Sequence, residues 1–149
     1  GSRLASADFR GKVVVVFFGY TQCPDICPTT LSTMKEAMRL LGPASDRVQV
    51  LFVTVDPERD TREVLANYVP WFDARFLGAY GDAQTTVAAA REFRVYFSKV
   101  KGNSALDYSI DHTAASFAYD TQGRLRLLIN HGATAQQISE DLSKLLAGN

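Results

Sequence analysis

Cysteine is scarce in this chain. Two in 149 residues cannot make a disulfide scaffold. Cys23 and Cys27 stand four positions apart, and a bridge between them would close a loop too small to stabilise much through chain entropy. Histidine is equally scarce, also two, so a closed four-ligand zinc site would need every cysteine and histidine present. No apolar run approaches the ~18 residues that a membrane span needs, and no secretory leader is visible. Neither sign of charge is in excess, with Lys+Arg and Asp+Glu both at 16. That balance gives no support for nucleic acid or a polyanionic surface as partner. Repeats, linkers and low-complexity tracts are missing too. Gly1-Ser2 reads as a cloning scar, which would put the natural N-terminus and any anchor upstream. What remains is an ordinary composition, 46% hydrophobic and 21% charged, at a length that suits one domain over 1–149.

The apolar pattern then sets the order of elements. Residues 13–18 are β-branched and then aromatic, a run suited to a central strand covered on both faces. Gly19 ends it. After the cysteines, Pro28 stands where a helix tolerates a first-turn proline. Apolar residues follow at helical spacing: Leu31, Met34, Ala37, Met38 and Leu41, with Gly42-Pro43 as the stop. A second buried strand is expected over 48–55. Asp60 with Glu63 resembles a capping box for a helix through Val64, Leu65 and Tyr68 that Pro70 should end. A short strand over 75–80 and a helix from Asp82 through Val87, Ala90 and Phe93 come next. Two β-like pieces, 95–100 and 108–110, flank Gly102-Asn103 and predict a hairpin-like insertion. Strands over 114–119 and 125–129 surround a turn-like Asp120-Thr121-Gln122-Gly123. Thr134 with Gln137 caps a last amphipathic helix carrying Ile138, Leu142, Leu145 and Leu146. Early βαβ units imply parallel strands and the closing ββ an antiparallel pair. The expected architecture is α/β: a thioredoxin-like mixed sheet sandwiched by helices, with the insertion before the histidine-bearing strand.

Cys23 and Cys27 fall at the carboxyl end of the first strand and the start of the next helix. Crevices form at that end of α/β sheets, and a helix N-terminus favours thiolate over thiol. Thioredoxin-type couples are C-x-x-C, whereas this is C-x-x-x-C, so the sulfurs could close a disulfide or spread around an ion. His112 precedes the strand over 114–119, where thioredoxin-like folds usually place a cis-proline facing the cysteines. The prolines here are at 24, 28, 43, 57 and 70, so that residue is missing and His112 is a candidate to face the sulfurs. His131, past the last strand, is a weak candidate. Two thiolates and an imidazole suit copper: the sulfurs Cu(I), the added imidazole also Cu(II). Asp25 and Asp56 are weaker candidates, each with a capping or turn role as the plainer reading. Tyr20, Tyr96, Phe97 and Tyr108 either ring the site or pack the insertion down.

The residues Phe17-Phe18-Gly19-Tyr20-Thr21-Gln22-Cys23-Pro24-Asp25-Ile26-Cys27-Pro28 resemble the signature of the Sco/SenC family. So do Val55-Asp56-Pro57-Glu58-Arg59-Asp60-Thr61, Phe93-Arg94-Val95-Tyr96 and Asp111-His112. The resemblance runs from about Leu4 to the last helix. It implies a thioredoxin-like domain that binds copper, as Cu(I) or Cu(II), through Cys23, Cys27 and His112. It also implies a metallochaperone rather than an enzyme, helping to assemble the Cu(A) centre on subunit II of cytochrome c oxidase. Some members act instead as thiol-disulfide reductants of the oxidase cysteines, with Cys23 and Cys27 as the redox couple. Another periplasmic copper chaperone or a thiol reductase is a further implied partner. Such proteins are tethered by an N-terminal helix, on the periplasmic side of the bacterial inner membrane or, less in keeping here, in the mitochondrial intermembrane space. Two departures stand out. The strand-rich segment that usually precedes Asp8-Phe9-Arg10-Gly11-Lys12 is missing, and Thr113 follows His112 where serine is common.

Overall fold

The computed structural model describes residues 9–23, 26–92, 97–104, 107–112 and 115–148, with the strands at 97–104 and 107–112 described as backbone. Its elements are β1 (Val13–Gly19), α1 (Ile26–Leu41), β2 (Val48–Thr54), α2 (Arg62–Phe72), β3 (Leu77–Ala79), α3 (Ala83–Glu92), β4 (Phe97–Ser104), β5 (Asp107–His112), β6 (Ala115–Tyr119), β7 (Leu125–Asn130) and α4 (Ala135–Leu146). A five-stranded sheet runs β3-β2-β1-β6-β7, and β4-β5 form a separate hairpin. β1 pairs parallel with β2, and β2 with β3; β6 pairs antiparallel with both β1 and β7.

β1 sits at the centre because its residues are apolar on both faces. Val13, Val15 and Phe17 point one way and Val16 and Phe18 the other, and all are buried. On the first face the rings of Phe17, Phe52, Tyr68 and Phe72 meet in sequence, with centroids 5.8, 6.0 and 5.4 Å apart, which fixes α2 over that part of the sheet. On the other face Phe18 meets Phe117 edge-on. α1 buries Leu31, Met34, Ala37 and Met38, as its spacing predicts, and packs against α4. α4 opens on the expected capping box. The Gln137 N–H donates to Thr134 Oγ1 (3.1 Å), and the Thr134 N–H donates to Gln137 Oε1 (3.0 Å).

Several expectations need correction. α1 begins at Ile26, so Cys27 is its second residue and Pro28 its third, still where an N–H has no helical partner to lose. The cap of α2 is Thr61, whose hydroxyl accepts from the Val64 N–H, and not Asp60. Pro70 lies within α2, which continues to Phe72. Phe72 is buried with its ring on Tyr68, and this packing holds the last turn past the proline. Val87 of α3 is exposed while Thr86 is buried, one position round from the expected face. Gly102 and Asn103 lie inside β4, at a register shift between Lys101 and Ser104, so they mark a bulge and not the turn. His112 closes β5, the insertion's own second strand, opposite Phe97.

The β6–β7 turn is organised by Asp120. Its carboxylate accepts from the backbone N–H of Gln122 and Arg124 and from Arg124 Nε, each at 2.9 Å. The backbone bond from Arg124 holds the carboxyl below the usual carboxylate range. A depressed folded-state value means that the contribution is fully present above about pH 4 and is lost as pH falls through the folded value. Asp120→Asn should therefore flatten the acid limb of the stability curve below about pH 4, read as urea midpoints across that range.

Candidate metal centre

The cysteine loop leaves the carboxyl end of β1, and three contacts fix its start. The Val55 N–H donates to the Gly19 carbonyl (2.8 Å), tying the ends of β1 and β2. The Cys23 N–H donates to the Tyr20 carbonyl (3.2 Å), turning the chain back. Thr21 is held by Asp60, whose carboxylate accepts from the Thr21 N–H (3.0 Å), the Thr21 hydroxyl (2.5 Å) and the Thr54 hydroxyl (2.6 Å). Asp60 is 0% exposed, so a buried charge is met by three donors, which is the condition for keeping a carboxylate dry.

Cys23 and Cys27 come together as two buried, unbridged thiols. The hydrogen bond between them, followed by burial, pushes the Cys27 thiol far above its ordinary range. A backbone hydrogen bond at Tyr20 opposes that rise, and the charges of Cys23 and Asp60 add to it. At Cys27 the neighbouring sulfur and burial oppose the thiolate that the helix start was expected to favour. Chemically the pair is a dry, soft, two-sulfur donor set that must give up protons to hold a metal.

Asp56 lies at the same end of the sheet, 2% exposed. It opens the turn after β2, as its plainer reading predicts, accepting from the Arg59 and Asp60 N–H groups. Its carboxylate also binds Arg59 Nε at 2.5 Å, in an ion pair with both side chains buried. Arg59 reaches on to Gln22 Oε1 (3.2 Å) and lies over the Tyr20 ring, 5.8 Å from its centroid. Asp56 thus acts on the cysteine loop through Arg59. Tyr20 is buried under that guanidinium, which settles it as packing rather than docking surface. Asp25 lies outside the described residues, as do the side chains of Tyr96, Phe97, Tyr108 and His112. His131 is held against α1, its Nδ1 within 3.3 Å of the Thr30 hydroxyl. Among the described residues no group of three or more His, Cys, Asp or Glu could hold an ion, so His131 does not join the sulfurs.

The backbone bounds how far His112 lies from the start of β6. Phe17 pairs with Ser116 in the antiparallel β1–β6 ladder, so the chain enters β6 at the end of the sheet where the cysteine loop leaves β1. His112 lies three residues before Ala115, a span of at most about 10 Å. Sequence reasoning missed Asp60 as a clamp, together with its partner Thr21. The only signal was an aspartate in the loop after a buried strand, and it was claimed by the better-known capping pattern.

The SCO1/SenC family model matches residues 1–147. The chain is 38% identical to Protein SCO2 homolog, mitochondrial, of Bos taurus over 143 residues, covering 95% of this chain and 54% of that relative. It thus spans about half the length of the curated relatives it matches. Among solved structures, Bradyrhizobium japonicum ScoI with copper bound superposes with a TM-score of 0.86 at 37% identity, covering 93% of this chain and 88% of that one. A thioredoxin-family thiol:disulfide interchange protein from Chlorobium tepidum, 17% identical with a TM-score of 0.63 over 96% of this chain and 86% of its own, shows that the fold is thioredoxin-like. With the two sulfurs at the sheet end and a family match along nearly its whole length, the chain belongs to the SCO1/SenC family.

Proposed function

We propose that this protein is a copper metallochaperone that carries copper as cargo on Cys23, Cys27 and His112 and delivers it to the Cu(A) centre on subunit II of cytochrome c oxidase. The observation that supports the ligand set is the β1–β6 register, which starts β6, three residues after His112, at the end of the sheet where the cysteine loop leaves β1. The donor chemistry agrees: two soft sulfurs suit Cu(I), and an added imidazole admits Cu(II). A relative of the same fold contains copper. The chain's own residues bind and orient the ion. Cys27 is fixed by α1, Cys23 by the loop that Asp60 clamps, and the protons they lose pass to solvent. The family resemblance supports the periplasmic side of a bacterial inner membrane as the place of this work. No described helix is long and apolar enough to cross one.

The test is copper titration of the reduced protein. Wild type takes up a single equivalent of Cu(I). Cys27→Ser loses Cu(I) uptake, and His112→Ala weakens Cu(II) by at least about a hundredfold and changes its spectrum, because loss of a direct ligand exceeds loss of an outer partner. Unchanged Cu(II) stoichiometry, affinity and spectrum in His112→Ala would remove His112 from the site.

The contact between the two thiols also favours a second reading, a thiol-disulfide reductant of the same client. Cys23, the more exposed sulfur, attacks the client disulfide as thiolate. Cys27 then resolves the mixed disulfide, leaving Cys23–Cys27 oxidised and the client dithiol reduced. A failure to trap that mixed disulfide in Cys27→Ser would count against it.

A further inference from the structure

β7 closes one side of the five-stranded sheet and, among the described residues, pairs only with β6. Alternate backbone N–H and C=O groups along its outer side therefore meet no strand. Natural sheets blunt such edges with charge, proline or bulges. β7 has its bulge and its arginine, Arg126, at the end next to the turn, whereas residues 127–130 carry neither a charge nor a proline. The bulge has a second effect. It sets Leu125 opposite Tyr119 while Leu128 stands opposite Phe117, so both leucines show on one face of the sheet, 56% and 60% exposed. The other face of the strand carries Ile129, buried in the core that also holds Ile138 of α4. A groove of about 530 Å³ runs between residues 127–130 and α4, with Glu140 and Asp141 on its wall. Glu140 accepts from Gln136 Nε2 (3.3 Å), and neither carboxylate meets a cation among the described residues.

We propose that the outer edge of β7 is a docking strip for an extended, basic segment of a partner protein, which adds to the sheet as its next strand. The open backbone edge asks for extended chain and supplies affinity through main-chain hydrogen bonds. The two faces set the side chains. Those beside Leu125 and Leu128 are apolar, and the alternate ones, on the α4 side, are Lys or Arg meeting Glu140 and Asp141. β7 runs parallel to β1, because β6 is antiparallel to both. Asn130, the last residue of β7, lies opposite Ala115, next to the Ser116 that pairs with Phe17. The strip therefore finishes at the end of the sheet where the cysteine loop leaves β1, and a docked segment is presented there. The strip needs no metal, so the inference stands apart from the copper-carrier reading.

The test uses the reduced, metal-free protein and two short capped peptides as probes, one alternating valine with lysine and the other valine with glutamate. At low salt the lysine peptide binds at least about tenfold more tightly, by a margin that shrinks as salt screens the acidic wall. It also slows amide hydrogen exchange at residues 127–130. Changing Glu140→Lys and Asp141→Lys together reverses the preference. No binding of the lysine peptide, equal binding of the two peptides, protection confined to other strands, or an unchanged preference in the double variant overturns the inference. So does protection of residues 127–130 without peptide in a protein that sediments as a dimer, since a second copy then holds the edge. Copper uptake enters none of these readouts, so a failure of peptide binding and a failure of the copper reading are told apart.

Discussion

Gly19→Ala lowers stability by about 3 kcal/mol and separates the two sulfurs. The glycine is needed for space, not for an unusual backbone angle. An added Cβ would stand 2.7 Å from Cys27 Sγ, 2.8 Å from Phe17 Cε1 and 3.0 Å from Phe52 Cε2. None of the three can step aside cheaply, since Cys27 and Phe52 are 0% exposed and Phe17 1%. Something must move, and the shortest of the three contacts is the one to the Cys27 sulfur. The expected readouts are a lower urea midpoint and a reduced Cu(I) affinity. Relief at a second site gives a sharper check: Phe52→Leu made in the Gly19→Ala background should recover part of the loss, because the two changes share one space and do not add. A Gly19→Ala protein with wild-type midpoint and affinity would show that Cys27 is not packed on the end of β1.

Asp60→Ala is expected to remove about 3 kcal/mol, from stranding donors rather than from lost packing. The Thr21 N–H, the Thr21 hydroxyl and the Thr54 hydroxyl all donate to this carboxylate. With it gone, Thr54 still accepts from the Asp56 N–H (2.9 Å), but its own proton has no acceptor, and Thr21 is released from β2. Asp60→Asn is milder and informative, because its single carbonyl oxygen cannot serve three donors while its amide adds hydrogens where none are wanted. The graded order wild type, Asn, Ala in urea midpoints, with Cu(I) affinity falling in the same order, checks the assignment. If Asp60→Asn equals wild type, the clamp is not ionic.

How much of this was legible in the chain depended on range. The central strands were legible because an apolar run with no polar face has few alternatives to a doubly covered position. The capping box of α4 was legible because both partners lie within one helical turn. Asp60 was misread for the opposite reason. An Asp followed three residues later by Glu looks like a cap, while its true partners are Thr54, six residues back, and Thr21, thirty-nine back. What opposes thiolate at Cys27 was not legible, because helix position can be read from sequence, whereas the sulfur beside it and the dryness around it are tertiary. Pro70 was expected to stop α2, but the pull of a buried Phe72 cannot be weighed before the core is known. His112 was singled out by its place in the chain, and the β1–β6 register supports that choice by starting β6 at the end of the sheet where the cysteine loop leaves β1.

The two sulfurs are not equivalent in their access to the outside. Cys27 is sealed at 0% exposure in a helical turn, whereas Cys23 is 9% exposed on the loop. For a transferable ion this inequality imposes a sequence of events. On the proposed carrier reading, an incoming ligand would meet Cys23 first, with Cys27 the sulfur that lets go last. The pair is thereby polarised, with an outer sulfur open to exchange and an inner one suited to retention.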